Sequence, residues 1–301
     1  MDNLKAKKRH PEEIAVYSAI YVCAAFSVLL LLGIIVYVFA KGARRVNWAF
    51  LTGVTSILHG TVGIAGNILN TLIIILLTMI ITTPIGVGAA IYLNEYAKPG
   101  KLVTVIIFAT ETLAGIPSII FGLFGMLFFG QLCHMGYSLL TGSLTLTLMV
   151  LPLVTRNTQE ALKTVPDSFR TGAVGLGAGK WYTIRTILLP SAMPGIVTGV
   201  ILAIGRIIGE SAALLFTAGS AHLLPKTFDA FLEKIFHSGG TLTIQLYLSA
   251  SKGEFEVAFG IAVVLLVIVL LINFGTKRLA KKLENVRCKI KLQKVVNTLD
   301  M

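Results

Sequence analysis

Charged residues are scarce in this chain, and their scarcity excludes an ordinary soluble protein. Only 13% of the 301 residues are Asp, Glu, Lys or Arg, whereas 55% are hydrophobic, and the mean hydropathy is +0.84. A soluble domain usually carries about 25% charged residues. Most of the surface must therefore face lipid, and we expect an all-α integral membrane protein.

Metal ligands and reactive thiols are also few and scattered. The three cysteines, Cys23, Cys133 and Cys288, form no CxxC pair, and the five histidines have no metal-ligand spacing. Isolated cysteines are usually buried or bystander residues. The sequence therefore predicts no metal site, and it has no His, Ser and Asp constellation that would indicate a membrane enzyme.

A nucleotide-binding loop is missing as well. The stretch GAVGLGAGKWYT has a Gly-Lys pair, but a P-loop needs glycine five residues before that glycine and Ser or Thr after the lysine. Val174 and Trp181 occupy those two positions. We therefore expect no enzyme activity and no cofactor bound by this chain. If ATP drives its function, Mg-ATP is bound by another chain.

Six apolar segments are long enough to cross a bilayer as helices. They lie at about 15–40, 67–94, 102–130, 138–155, 191–218 and 256–275. The sequence thus divides into an N-terminal segment (1–14), a transmembrane domain (15–275) and a basic tail (276–301). The first segment is too long for a signal peptide and has no clear cleavage site, so we expect it to remain as a helix.

Proline and glycine interrupt two of these segments. Pro84 in the second segment, and Gly115 and Pro117 in the third, should kink or break the helices, because proline removes a backbone N–H and clashes with the preceding turn. In lipid, a broken helix must be covered by protein or line a water-filled cavity. Gly115 and Pro117 therefore mark a candidate pathway, with a merely packed kink as the alternative.

Basic residues predict the orientation of the chain. With the N-terminus inside, the inner segments carry 19 Lys and Arg residues and the outer segments carry 6. We therefore expect both termini and the loop 156–190 in the cytoplasm, and the loop 219–255 outside. A basic tail beside a membrane helix is typical of a topology signal that contacts anionic lipid, and we expect no nucleic-acid partner.

The loop 156–190 has the pattern of a docking surface for a soluble partner. It is about 35 residues long, which is unusual for a helix connection. Pro166 and Asp167 favour a helix start and Gly177 a helix end, and a second short helix would carry Trp181. The alternative is an amphipathic loop that lies at the membrane interface without a partner.

Three charged residues lie within the apolar segments: Arg206, Glu210 and Glu111. At 1.5 Å per residue, Arg206 lies about 21 Å and Glu111 about 14 Å from the cytoplasmic ends of their helices. Arg206 and Glu210 are four residues apart, on one face of the predicted helix. Arg206 should face a cavity or a partner. It could attract an anion or form a buried ion pair that ties helices together, and the pattern leaves both open.

Two GxxxG spacings lie on the same segment. Gly195 and Gly199 form one, and Gly205 and Gly209 form the other. This spacing permits close helix packing, and we expect the contact to be with a second subunit. A chance occurrence in a glycine-rich membrane chain is the alternative.

Several of these motifs together resemble one family. The loop has Ala173, Gly177 and the Ile187-x-Leu189-Pro190 run at the spacings of the EAA loop of ABC-transporter permeases, although Thr171 and Gly172 depart from its first two positions. With GIPSIIFGLFG (115–125), GRIIGE (205–210), LNTLIIILLTMIITTPIGVGAAIYLNEYA (69–97) and IQLYLSAS (244–251), the chain from about 67 to 275 resembles the PstA family of phosphate-importer permeases.

The resemblance implies a function and a set of partners. It implies the MetI-like fold of type I ABC importers and a multi-pass protein of the bacterial cytoplasmic membrane. The expected role is ATP-driven import of phosphate by alternating access. The partners would be a PstC-like permease, a PstB-like ATPase dimer that binds Mg-ATP, and an extracytoplasmic phosphate-binding protein. Another oxyanion, such as molybdate or sulfate, is the alternative substrate. An ion-coupled secondary transporter should show internal repeats, which the sequence does not.

The resemblance also implies roles for particular residues. Arg206 and Glu210 would belong to the substrate pathway, and Glu111 has the weaker correspondence. Contact with the ATPase would involve the loop residues Thr171, Gly172, Ala173, Gly177, Ala178 and Trp181.

Overall fold

The computed structural model describes residues 11–56, 61–98, 100–225 and 227–299, with the side chains of the last helix described up to Arg278. The α-helices in these ranges are α1 (Pro11–Gly42), α2 (Trp48–Thr52), α3 (Ala65–Ile91), α4 (Lys101–Gly115), α5 (Ser118–Gly125), α6 (Leu139–Lys163), α7 (Asp167–Gly175), α8 (Lys180–Thr183), α9 (Leu189–Gly209), α10 (Ala212–Thr217), α11 (Phe228–Glu233), α12 (Leu242–Ser251) and α13 (Phe255–Leu299). Strands β1 (Val54–Ser56) and β2 (Thr61–Ile64) form an antiparallel pair.

Short segments of other helix types extend several of these helices. The π-helices are Tyr92–Tyr96 after α3, Met126–Leu132 after α5 and Ile184–Leu188 before α9. The 3-10 helices are Ala43–Arg45 after α1 and Lys234–Phe236 after α11.

Five continuous helices in the described ranges are long and apolar enough to cross a membrane, and a bent pair makes a sixth span. The continuous ones are Ala15–Arg45, Ala65–Tyr96, Leu139–Lys163, Lys180–Gly209 and Phe255–Arg278. The prediction of about six transmembrane helices in an all-α protein is confirmed. Two boundaries differ, because α6 continues beyond residue 155 to Lys163 and α9 ends at Gly209. The segment predicted at 191–218 is therefore two helices, α9 and α10.

The bent pair is α4 and α5, at the predicted interruption. α4 ends at Gly115, α5 begins at Ser118, and the two directions differ by 103°. Ile116 and Pro117 both have extended backbone, which ends one helix and starts the other. The pair begins beside the C-terminal end of α3 and leads to the start of α6. There the Leu139 N–H donates to the carbonyl of His237 in the loop 219–255, at 3.1 Å. The pair therefore connects the two ends of the bundle as one span.

Pro84 does not end its helix, contrary to one of the outcomes expected from the sequence. α3 is continuous from Ala65 to Ile91 with Pro84 inside it. Neighbouring helices can cover the backbone groups that proline frees within a membrane bundle. α3 packs mainly against α6 along its length.

The core of the bundle is formed by α3, α6 and α9. Glycines let these helices approach closely, because a Cβ atom at Gly86 would lie 2.9 Å from the Val154 side chain. At Gly195, a Cβ atom would lie 2.5 Å from the Ala161 Cβ of α6. The contact of Gly195 and Gly199 is thus within the chain, and the expectation of a second subunit at this pair was wrong.

α1 lies at the edge of the bundle. None of the residues in the most apolar part of Ala15–Arg45 is buried. α1 contacts mainly α13, near the C-terminal end of α1. There, the Tyr37 and Phe259 rings meet edge to face at 5.7 Å. The free length of α1 leaves a large apolar surface for lipid or for another subunit.

Candidate functional site

The loop 156–190 begins inside a helix and turns at Gly177. Its residues up to Lys163 form the last turns of α6, and α7 follows with Asp167 in its first turn. After α7, the Gly177 N–H donates to Val174 at 2.9 Å and the Ala178 N–H donates to Ala173 at 3.0 Å. This is a Schellman motif, and Gly177 has the left-handed φ of 77° that the motif requires. The helix end predicted at Gly177 is present.

The second helix of the loop differs from the expectation of a separate short helix. α8 runs from Lys180 to Thr183 and passes through the π-helix Ile184–Leu188 directly into α9. Ile184 and Leu188 are buried with Leu162 and Val165. This packing against the end of α6 makes the helix an N-terminal extension of α9.

An apolar surface at the turn remains exposed. It is formed by Phe169, Val174, Leu176, Trp181 and Tyr182, with Leu176 90% exposed. Of the residues predicted to contact a partner, Thr171, Gly172, Gly177 and Trp181 are exposed, and Ala178 is partly exposed. Ala173 is only 5% exposed. Ala173 therefore packs within the chain, and its side chain is not available to a partner in this structure.

A charged contact that the sequence analysis missed holds α7 to the end of α3. The Arg170 guanidinium donates to the Glu95 carboxylate, with Nη2 to Oε1 at 3.0 Å. It also donates to Asp167 Oδ1 at 2.9 Å. The negative charge of Glu95, through its hydrogen bond, raises the pKa of Arg170 above its ordinary value. The Glu95 side chain is 9% exposed and that of Arg170 is 23% exposed, so the pair is largely shielded from water.

Lys180 makes a second contact with the same end of α3. Its Nζ lies 4.7 Å from the centre of the Tyr96 ring, a cation–π distance. The lysine of the Gly-Lys pair is therefore engaged with an aromatic ring. One signal in the sequence could have indicated both contacts, the polar run Asn94-Glu95-Tyr96 at the end of a long apolar segment.

Arg206 lies on an open face of α9. It is exposed, and within the described residues it forms no hydrogen bond or ion pair. Gly205 and Gly209 flank it, and a Cβ atom at either glycine would meet no atom within 4 Å. Leu202, one turn earlier, is 52% exposed. Arg206 thus projects from a face that the described part of the chain leaves uncovered.

Glu210 and Glu111 do not pair with Arg206 in this structure. α9 ends at Gly209, and Glu210 has extended backbone, so the predicted common helix face does not exist. The Glu210 carboxylate instead accepts a hydrogen bond from the Ala213 N–H at 3.1 Å. Glu111 is exposed on α4. The structure therefore does not bring the three predicted pathway residues together within this chain.

The loop 219–255, named the outer loop after its predicted side, is held on the start of α3. Asn70 Nδ2 donates to the carbonyls of Ala221, at 3.1 Å, and Gly240, at 3.0 Å. Asn67 Nδ2 also donates to Gly240 at 3.0 Å. The loop 156–190 and the loop 219–255 therefore lie at opposite ends of α3, as the predicted topology requires.

Two basic groups in the outer loop are partly withdrawn from water. Burial lowers the pKa of His222, and the like charges of Lys252 and Lys234 lower it further. Burial also lowers the pKa of Lys234, whose ammonium group donates to the Leu223 carbonyl. The packed loop therefore disfavours the protonated form of both groups.

Some sequence predictions fall outside the described part of the chain. Residues 1–10 and the side chains beyond Arg278, including that of Cys288, are outside it. Within the described residues, no cluster of three or more His, Cys, Asp or Glu side chains could hold a metal ion.

Comparison with known proteins gives consistent matches. Residues 82–285 match the family described as "Binding-protein-dependent transport system inner membrane component". The chain is 36% identical over 265 residues to the probable ABC transporter permease protein YqgI of Bacillus subtilis. The aligned residues cover 85% of this chain and 90% of that protein. It is 34% identical over 244 residues to the phosphate transport system permease protein PstA of Xylella fastidiosa (80% and 82% covered).

Solved structures share the fold. A chain of the bacterial alginate ABC transporter, solved in complex with an alginate pentasaccharide-bound periplasmic protein, matches with a TM-score of 0.68 at 14% identity, covering 91% of this chain and 96% of that one. A chain of the inward-facing MetNI methionine ABC transporter matches with a TM-score of 0.54 at 21% identity, covering 73% and 94%. The fold is therefore that of type I ABC importer permeases, as the resemblance implied.

Proposed function

The chain belongs to the family of binding-protein-dependent transport system inner membrane components, and we propose that it is a permease subunit of an ATP-driven phosphate importer. It would form the pathway together with a PstC-like permease. A PstB-like ATPase dimer would bind Mg-ATP, and an extracytoplasmic binding protein would deliver phosphate. The 34% identity to a protein named as a phosphate transport system permease supports the choice of substrate.

The observation that carries the proposal is the open position of Arg206. Arg206 has no partner among the described residues and lies on a glycine-flanked face of a membrane-spanning helix. An arginine at this depth is unfavourable against lipid, so a second subunit or a water-filled cavity should cover it. A guanidinium fork matches the oxygens of phosphate and keeps its charge at any physiological pH. Arg206 would therefore attract the anion within a pathway shared by two permease subunits.

The second support is the exposed apolar turn of the loop 156–190. Phe169, Leu176 and Trp181 are large apolar side chains on the outside of a polar loop. An apolar patch of this kind with a polar rim is typical of a protein interface. We assign it to the ATPase, whose closure would move α7 and so drive alternating access. This assignment places the loop and both termini in the cytoplasm, in agreement with the charge count.

Purification of the chain from its native membrane tests the partners. A tag on this chain should recover a second permease and an ATPase. The recovered complex should be reconstituted into liposomes with the binding protein outside. These liposomes should take up labelled phosphate only when ATP is enclosed in them, on the cytoplasmic side of the complex. Robust uptake by liposomes that contain only this chain would contradict the proposal and favour a secondary transporter.

A further inference from the structure

Arg170 joins three elements at the inner end of the bundle. Its Nη2 donates to the Glu95 carboxylate and, at 3.0 Å, to the Leu162 carbonyl at the end of α6. Its Nη1 donates to the Val165 carbonyl at 3.0 Å and to Asp167 in the first turn of α7. One guanidinium thus connects α7 with the ends of α6 and α3. An arginine with this many hydrogen bonds has little freedom to leave its position.

Glu95 is the part of this contact that belongs to α3. Both of its oxygens lie within 3.4 Å of Arg170 Nε, and Asn94 Nδ2 donates to Oε1 at 2.7 Å. The ammonium group of Lys180 lies over the ring of Tyr96, the residue that follows Glu95. Both sides of the Gly177 turn therefore contact the same short segment, Tyr92–Tyr96.

The other end of α3 holds the outer loop. Asn67 and Asn70 donate to its carbonyls, and the Leu242 N–H donates to Thr71 Oγ1 at 3.0 Å. Between these contacts and Glu95, the helix Ala65–Tyr96 is continuous over 32 residues, a length of about 48 Å. One continuous helix therefore contacts the loops at both ends of the bundle.

We propose that Glu95 and Arg170 form a latch that transmits movement of α7 to α3, and that α3 carries this movement to the outer loop. The proposal rests on the proposed function, since it needs an ATPase that moves α7. Glu95 and Arg170 are assigned as positioning residues, because they bind each other where the loop 156–190 meets α3 and not on the face of α9 that carries Arg206. The latch explains why the charged pair is shielded from water where the loop 156–190 meets the bundle. A pair exposed to water would contribute little to holding the two elements together.

A merely structural pair would behave differently from a latch. Loss of one partner of a shielded ion pair destabilises a protein, because the remaining charge is unpaired. A structural pair would therefore lower the amount of folded complex, but the complex that remains would couple normally. A latch predicts assembled complexes that hydrolyse ATP but import less phosphate for each ATP.

The variants for the test are Glu95→Gln, Arg170→Lys and the double variant Glu95→Gln/Arg170→Lys. Glu95→Gln keeps the shape and removes the charge, whereas Arg170→Lys keeps the charge and removes the fork. The matched control is Arg156→Gln/Glu160→Gln. It removes an ion pair of the same loop whose side chains are 67% and 62% exposed, with a distance of 3.3 Å.

The first measurement is phosphate imported per ATP hydrolysed by the reconstituted complex, at equal complex abundance and with the melting temperature recorded. We expect Glu95→Gln to lower this ratio roughly tenfold, Arg170→Lys to lower it less, and the control pair to leave it unchanged. The double variant should be no worse than the more affected single variant, because both residues act in one contact. A normal ratio in Glu95→Gln would overturn the latch.

The second measurement follows the outer loop directly. Ser238 is partly buried in that loop, so the labelling rate of the thiol in a Ser238→Cys variant reports its movement. Trapping the ATPase with ATP and vanadate should change the rate when Glu95 is present, and the change should be lost in Glu95→Gln. An unchanged response in Glu95→Gln would overturn the latch. This response does not depend on which anion is carried, so it decides the latch separately from the uptake of phosphate by the unmodified complex.

Discussion

The Glu210 carboxylate accepts a hydrogen bond from the Ala213 N–H at 3.1 Å, at the first turn of α10. The Glu210 carbonyl in turn accepts a hydrogen bond from Thr243 Oγ1 at 2.9 Å. These contacts hold the junction between α9 and α10 against α12. Glu210 is thereby engaged with Ala213 and Thr243 and forms no ion pair with Arg206.

Removal of the Arg206 charge should stop transport. We expect Arg206→Ala to lower the initial rate of phosphate uptake roughly tenfold or more, since a hydrogen bond to a charged group contributes about 1.5–3 kcal/mol. Arg206→Lys should keep part of the rate, because its charge remains although the fork is lost. The measurement is uptake at equal membrane abundance.

The double variants Arg206→Ala/Glu210→Ala and Arg206→Ala/Glu111→Ala separate an anion site from an ion pair. Both should stay inactive, because neither glutamate pairs with Arg206 within the described residues. If either double variant recovered near-normal uptake, Arg206 would be a structural tie and not part of the pathway.

Side chains at Gly177 should disturb the turn to different degrees. Its φ of 77° would cost a non-glycine residue about 1–2 kcal/mol, and a long side chain would also obstruct the docking surface. We expect Gly177→Arg to remove the stimulation of ATP hydrolysis by loaded binding protein, Gly177→Ala to reduce it, and Gly177→Asn to have the smallest effect. The control is Gly175→Ala, at a helical glycine with open space around it. Full stimulation in Gly177→Arg would mean that the turn does not contact the ATPase.

The two glycine pairs of α9 should respond differently to the same change. Gly195→Val should destabilise the chain by about 1–3 kcal/mol through overpacking against Ala161. A side chain added at Gly205 would meet open space among the described residues. Gly205→Val should therefore leave this chain folded and weaken its association with the second permease. Thermal melting and copurification distinguish the two effects. Equal melting temperatures for both variants would contradict the packing of α6 against α9.

Protonation should loosen the outer loop. The pKa of His222 lies below its ordinary value of 6.5, so the packed loop binds fewer protons than the released loop. The packing is therefore fully stable above 6.5 and weakens as the pH falls from 6.5 towards the lowered pKa. Hydrogen exchange of residues 219–241 should accelerate on acidification more than it does in a His222→Gln variant at the same pH. Identical pH dependence in both proteins would contradict this assignment.

Labelling tests the orientation. In a background without native cysteines, Ser168→Cys should resist an impermeant thiol reagent in intact cells, while Glu233→Cys should react. Both positions are exposed in the structure, so burial cannot mimic protection by the membrane. The reverse pattern would overturn the topology.

Hydrophobic length and glycine or proline interruptions were sufficient to predict the transmembrane architecture. The break at Gly115–Ser118 and the turn at Gly177 follow from backbone rules that act within a few residues, so the sequence alone could locate them. The end of α9 could not be located in this way, because the Glu210 contacts that hold it involve Ala213 and the distant Thr243.

Contacts between distant segments were the main omission from the sequence analysis. Glu95 and Arg170 are 75 residues apart, and no local pattern connects them. The packing of Gly195 on Ala161 was missed for the same reason. A GxxxG spacing indicates that a helix can approach a neighbouring helix closely, but it does not identify that helix. Arg206 was found because a charge within an apolar run is visible without any knowledge of its surroundings.

Transport of phosphate through a pathway that contains Arg206 can be measured as ATP-dependent uptake of labelled phosphate by the reconstituted complex with its binding protein, in the presence of a large excess of sulfate or molybdate. We expect uptake to persist under this competition and to be lost in Arg206→Ala. Uptake that either competitor abolishes, or that is unaffected by Arg206→Ala, would contradict the account.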